Sequence, residues 1–312
     1  MKYQEWHQPV LDLYYKGYSG RKIAKQLGMA KSTINDFLKA YRDNDILNKS
    51  EEKKLKYLYW DLENSLMEGR FFRVRDENIP PHRITKHSHL LSIAWAFNDE
   101  EPQSLRMTPE DVKTGNDLAL VVKMIEMINE SDVIVTYNGK RFDWGVLCTR
   151  ALAYGLPPIK KVPHIDLFQD TKAFRFPSRS MQAVSMYLGL DGKIATSGGM
   201  LWERCADWWN RTECEEALEE MEIYNRQDIV ATRDLHYRLQ GWGSTVNVGN
   251  VVNQLTEDDA LRCVHCGSDK ISEMNKMAFT ASSSFPLYRC DEADCRGISR
   301  LTANGKRLTK VV

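Results

Sequence analysis

LKYLYWDLE, residues 55–63, reads as a β-strand of Leu, Tyr and Trp that ends on two acids, Asp61 and Glu63. Side chains two apart on a strand share a face, so the two carboxylates stand side by side at the end of an apolar strand. At ~4 Å two such charges repel by roughly 4 kcal/mol at an effective dielectric of about 20. Two readings of the pair stand at this point. A cation or a shared proton offsets the repulsion, or the strand end faces water. Two further acidic positions downstream favour the first.

Working outward, HLLSIAWAF (89–97) is a second strand and Ser104–Thr108 a short third. The polar stretch 70–88, with Pro80-Pro81 and the histidines His82 and His87, reads as a loop. Apolar residues at helical spacing predict a helix over 117–130. DVIVTY (132–137) is a buried strand by its β-branched run. It delivers Asn138-Gly-Lys-Arg-Phe-Asp143, in which Gly139 permits a tight turn and Asp143 opens a helix. Taken alone, Asp143 is a helix cap. HIDL (164–167) is a strand end, Ser180–Leu188 an amphipathic helix, and GKIATSGG (192–199) a flexible loop carrying Lys193. The tryptophans of 201–209 form a packing edge. Glu213–Leu239 reads as one long helix in which Tyr224 and Asp228, four apart, share a face beside Ile223, Ile229 and Leu235. A buried Asp needs a partner.

Read together, D-x-E on a first strand, N-x-x-x-F-D at a strand-to-helix turn and Y-x-x-x-D on a late helix resemble the DEDD exonuclease superfamily. The match is to its tyrosine-bearing subclass on an RNase H-like fold, related to the exonuclease domains of family B DNA polymerases. NGKRFDWGVL, HIDL, MQAVSMYLGL, GKIATSGGMLW and MEIYNRQDIVATRDL all follow that family's usual run, over residues 55–242. The resemblance implies an α/β fold, a mixed central sheet flanked by helices. It implies that Asp61, Glu63, Asp143 and Asp228 hold two Mg²⁺ or Mn²⁺ ions. Hard oxygen ligands suit such ions. Tyr224 would orient the attacking water, because a phenol with an ordinary pKa of about 10 is a poor base at neutral pH. Asn138 and Phe142 would hold the substrate strand. Lys193 would reach a phosphate, or is simply a solvated loop lysine. The implied reaction is 3′→5′ phosphodiester hydrolysis, with DNA the preferred substrate. Alternatives are a structure-specific endonuclease or RNase on the same fold, or a DNA-binding regulator whose nuclease core is inert.

The flanks add two small modules. Residues 1–48, with the signature SGRKIAKQLGMAKSTINDFLK, resemble a helix-turn-helix of the resolvase or transposase type. By that resemblance Lys31, Ser32, Thr33 and Asn35 face DNA bases, and Arg21, Lys22 and Lys25 lie near phosphates. A helical protein-docking module is the alternative. Residues 49–54 are expected to be a linker and 243–260 a polar connector. Residues 261–312 carry Cys263-x₂-Cys266 and Cys290-x₄-Cys295, two thiolate pairs suited to one structural Zn²⁺ in a zinc ribbon. The second knuckle has two residues more than the usual spacing. His265 is expected to be a bystander.

The net charge is zero, but its distribution is uneven. Residues 1–50 and 261–312 each carry nine Lys/Arg against five Asp/Glu, and the middle carries 25 against 33. Basic ends around an acidic centre suit a protein whose ends touch a polyanion and whose centre holds cations. No apolar run is long enough to span a membrane and the N-terminus lacks a signal-peptide core, so the expected partner is nucleic acid, not membrane. Seven cysteines, four of them paired in the tail, argue for a reducing compartment, and the expected location is cytoplasmic.

Overall fold

The computed structural model describes residues 6–15, 18–48, 55–73, 78–192, 198–243, 245–257 and 259–311. The chain divides into two compact units, Met1–Lys54 and Leu55–Val312. The first holds α1 (His7–Tyr15), α2 (Gly20–Leu27) and α3 (Lys31–Asn48) around Val10, Ile23, Ala24, Ile34, Phe37 and Leu38. Ser19 stands at the N-cap of α2 in extended backbone, but its side chain makes no cap bond. Gly28 ends α2 at φ 65°, its N–H donating to the Ala24 carbonyl. α3 runs unbroken to Asn48, because no Gly or Pro interrupts residues 42–48. The expected linker, 49–54, lies outside the described residues.

The second unit contains, in order, β1 (Tyr57–Asn64), β2 (Glu68–Gly69), β3 (Ile84–Lys86), β4 (Leu90–Phe97), β5 (Gln103–Arg106), α4 (Pro109–Thr114), α5 (Leu118–Glu130), β6 (Val133–Thr136), α6 (Asp143–Ala153), β7 (His164–Asp166), α7 (Leu167–Asp170), α8 (Met181–Tyr187), α9 (Met200–Ala206), α10 (Arg211–Leu239), α11 (Val248–Thr256), β8 (Ile271–Phe279), β9 (Ser284–Cys290), β10 (Ile298–Leu301) and β11 (Leu308–Lys310). The main sheet has the order β5-β4-β1-β6-β7. β4 lies antiparallel to β1 and to β5, while β6 runs parallel to β1 and β7 parallel to β6, so the sheet is mixed and RNase H-like.

β1 is central and buried on both faces. Leu58, Trp60 and Leu62 enter the core cluster beneath α5 and α6, with Met124, Ile128 and Leu147. Tyr59 enters the opposite cluster, with Val184 of α8 and Ile229 and Leu235 of α10. Its neighbour β4 is buried at all eight positions, as a strand covered on both faces requires. α10 is 29 residues long, ~43 Å of helix. Its first half joins the first cluster through Cys214, Leu218 and Met221, and its second half covers the other face.

Three segments differ from the sequence reading. The stretch 70–88 is not all loop, because Ile84–Lys86 pairs with β2. Thr108 does not extend a strand; it caps α4 in a reciprocal box with Asp111. Within 243–260 stands α11, capped by Asn247, with Val248 buried in the core. Its polar residues hide a short amphipathic face. The tail strands form a separate antiparallel sheet, β11-β10-β9-β8.

Candidate active site

Because Leu58, Trp60 and Leu62 face one core cluster, Tyr59, Asp61 and Glu63 all face the other side of β1. α10 covers that side and runs antiparallel to β1. The Tyr59 hydroxyl lies 2.8 Å from His236 Nδ1, and Asp228, two helical turns earlier, lies near the strand's other end. There Asp61, Glu63 and Asp228 each offer an oxygen, and these atoms lie within 4.8 Å of one another. Asp228 is 2 % exposed, and the other two are half-buried. The three line a cleft of about 310 Å³ with Tyr137, Asn138, Phe168, Arg179, Ser180 and Met181. Three clustered carboxylates with acceptor-only oxygens fit a hard divalent cation, which would remove their mutual repulsion.

The second motif is held by hydrogen bonds that the residue types explain. Asn138 takes the left-handed conformation, φ 69°, that the turn needs, and Gly139 does not. Gly139 is required for a different reason: a Cβ there would sit 2.6 Å from Thr136 Oγ1. The buried Asp166 accepts the N–H groups of Asn138 (2.9 Å), Lys140 (3.2 Å) and Phe168 (3.1 Å), so it clamps this turn. Asp143 is buried at the first position of α6. Among the described residues it is not part of the group that Asp61, Glu63 and Asp228 form. α6 is itself anchored: Arg150 grips the fully buried Asp117 through two bonds of 2.8 and 2.7 Å. Phe142 precedes Asp143 and is 53 % exposed. Tyr224 lies one helical turn from Asp228, its ring edge-on to Trp202 at 6.3 Å, and it does not line the cleft. Lys193 lies outside the described residues.

Arg179 was not singled out by the sequence reading, yet it stands in the cleft, its guanidinium 4.6 Å above the Phe168 ring. Its carbonyl accepts the Tyr137 hydroxyl, whose pKa burial pushes up to about 12. The signal available was the position of Arg179 beside Ser180, the N-cap of α8. His164, bonded to Thr136 Oγ1 at 2.8 Å, is held neutral by burial and the nearby Lys140, with its pKa lowered to about 3.

In the tail, the sulfurs of Cys263, Cys266, Cys290 and Cys295 lie within 4.8 Å of one another. Cys263 to Cys295 is 3.7 Å and Cys266 to Cys290 is 3.5 Å. These are far beyond the ~2.05 Å of a disulfide and close to the edge, about 3.8 Å, of a tetrahedron with Zn–S bonds near 2.3 Å. The cluster is compatible with a zinc ribbon, and the two extra residues of the second knuckle do not open it. His265 is not part of the group; its Nε2 lies 3.3 Å from the Ile298 carbonyl. The tail sits directly on the nuclease-like core. A side chain at Gly241, just past α10, would collide with the Cys295 carbonyl, and the Val248 N–H donates to the Val264 carbonyl at 3.0 Å.

In the first unit Arg21, Lys22, Lys25, Lys31, Ser32, Thr33 and Asn35 are all exposed, with Asn35 packed against Gly20 where α2 meets α3.

Comparison with known proteins finds similarity in both units. Residues 85–240 match the family model described as RNase_H superfamily. Residues 10–56 match a model of the ATPase subunit of terminase (gpP-like). A DNA polymerase of Thermococcus litoralis is 24% identical over 230 residues, covering 64% of this chain and 12% of the polymerase. A solved family B DNA polymerase from the hyperthermophilic archaeon Pyrobaculum calidifontis aligns at 18% identity and a TM-score of 0.45, covering 66% of this chain and 27% of that one. The chain thus spans about an eighth of the length of its curated relative.

Proposed function

The chain belongs to the RNase H superfamily, and from that premise we propose that it is a metal-dependent 3′→5′ exonuclease of the tyrosine-bearing DEDD subclass, acting on DNA. The observation that carries this is the meeting of Asp61, Glu63 and Asp228 at one end of the central strand. In the reading, these three and Asp143 hold Mg²⁺ or Mn²⁺, which when bound lowers the pKa of water and offsets charge on the leaving 3′ oxygen. Tyr224 orients the water from its place one turn before Asp228. Arg179 steadies a phosphate at the mouth of the cleft. Asn138, whose turn Asp166 fixes, and the exposed Phe142 hold the terminal nucleotide. The helix-turn-helix of 1–48 and a zinc ribbon of 261–312 flank a catalytic domain of 55–242 and supply DNA contacts. Lys193 remains a proposed phosphate contact on the resemblance alone.

The place of Asp143 outside the three-carboxylate group favours a second reading, a DNA-binding adaptor with an inert core. End-labelled linear and circular single-stranded DNA and RNA, incubated with Mg²⁺ or Mn²⁺, separate the possibilities. Stepwise shortening of linear DNA is expected. Cutting of circles assigns an endonuclease, preference for RNA an RNase, and no cleavage of any substrate the inert adaptor.

A further inference from the structure

We propose that the groove between α8, the end of α10 and the second cysteine knuckle binds unpaired bases of the same DNA strand whose 3′ end enters the carboxylate cleft. The proposal rests on the nuclease reading for the identity of that strand.

The groove holds about 1170 Å³. Its floor is a chain of four rings: Tyr187 to Phe176 at 5.4 Å, Phe176 to Phe174 at 5.5 Å, and Phe174 to Trp242 at 6.1 Å between centroids. Trp242 is 75 % and Tyr187 67 % exposed, so large ring faces stand in water. Aromatic faces in series accept stacked bases without regard to sequence. A bound strand brings a phosphate with every base, and Arg238 and Arg296 are placed on the groove walls to meet them. Asp99, Asp234 and Asp294 also line the groove. Asp99 accepts the Tyr237 hydroxyl at 2.6 Å, which fixes that ring at the groove wall.

Closeness to the carboxylate cleft, along the chain and along α8, decides the occupant. Phe168 and Arg179 line the cleft, and Phe174 and Phe176, between them in the chain, line the groove. Met181 at the start of α8 lies in the cleft and Tyr187 at its end lies in the groove. Those six residues of helix span ~9 Å, about three nucleotides at a stacked rise of 3.4 Å. A strand with its end at Asp61 and Glu63 therefore brings the bases a few positions upstream onto the ring series.

The test uses the full chain with Asp228→Asn to block cleavage, and a 12-residue oligothymidylate carrying one 5-iododeoxyuridine at positions two to six from the 3′ end. Photocrosslinks from the upstream positions are expected at Trp242, Phe174 or Tyr187. Trp242→Ala is expected to weaken binding of the 12-mer roughly 5- to 100-fold while leaving a trinucleotide unaffected, and Trp242→Phe to restore most of the loss. Arg296→Gln, on the exposed knuckle, should weaken the 12-mer severalfold and serves as a second variant. Binding of the 12-mer with no crosslink in the groove, or unchanged affinity in both variants, overturns the proposal and leaves the nuclease reading standing if the wild type cleaves. Groove crosslinks in a protein that cleaves nothing remove the nuclease reading instead.

Discussion

Asp228 is almost fully buried within reach of two other carboxylates, an arrangement whose mutual repulsion a bound cation or a shared proton offsets. Each close pair carries roughly 4 kcal/mol of repulsion at an effective dielectric of about 20. Asp228→Asn should therefore raise the melting temperature of the cation-free protein and abolish the further rise that Mn²⁺ gives the wild type, read by calorimetry with and without the ion. A fall in the cation-free melting temperature would mean that the carboxylate is held by its neighbours and not strained by them. Tyr224 packs on Trp202 through its ring, so Tyr224→Phe keeps that contact and removes only the hydroxyl. Cleavage should fall by about ten- to a hundredfold, as misplacing a reactant does, with melting unchanged. Asp166 acts through the backbone: its two oxygens hold three N–H groups and so shape the turn at Asn138.

At the scale of the element, α10 does two tasks along its second half. Asp228 meets the carboxylates of β1, and eight residues later His236 meets Tyr59 on the same strand. Complete burial lowers the His236 pKa to about 4, so the folded protein holds it neutral. Between pH ~4 and ~6.5 the unfolded chain binds the extra proton, so this histidine's contribution is present above pH ~6.5 and is lost as pH falls towards 4, by about 3 kcal/mol. Asp170 acts in the opposite sense, because burial raises its pKa to about 7 and its cost grows as pH rises. The two slopes overlap in the wild type. The difference in unfolding free energy between His236→Gln and wild type, measured from pH 4 to 7, isolates the histidine: the variant should lose relative stability as pH rises through that window. A pH-independent difference would show that His236 is not the group that titrates.

For the whole molecule, the tail is built onto the core. Gly241 lies against the Cys295 carbonyl and α11 is hydrogen-bonded to the first knuckle, so loss of the thiolate cluster undermines the packing at the end of α10. Treatment with a metal chelator, or Cys290→Ser, should lower the main melting transition of Leu55–Val312 and not merely add a separate early one. Deleting residues 1–48 should weaken DNA binding severalfold and flatten its dependence on salt, while cleavage at saturating substrate stays near wild type. Legible from the chain alone were features that short-range geometry imposes. The alternation in LKYLYWDLE put Asp61 and Glu63 on one face, four-residue spacing put Tyr224 beside Asp228, and paired cysteines marked the tail. The sequence could not say that Asn138, and not Gly139, carries the left-handed turn, that α11 lies in the supposed connector, or that Arg179 stands among the acids. It also could not separate Asp143 from the other three carboxylates or align four rings from distant segments into one groove. Periodicity acts over a few residues and follows from bond geometry, so a chain declares it locally. Distances between far-apart segments depend on how whole elements pack against one another, and only the folded protein sets them.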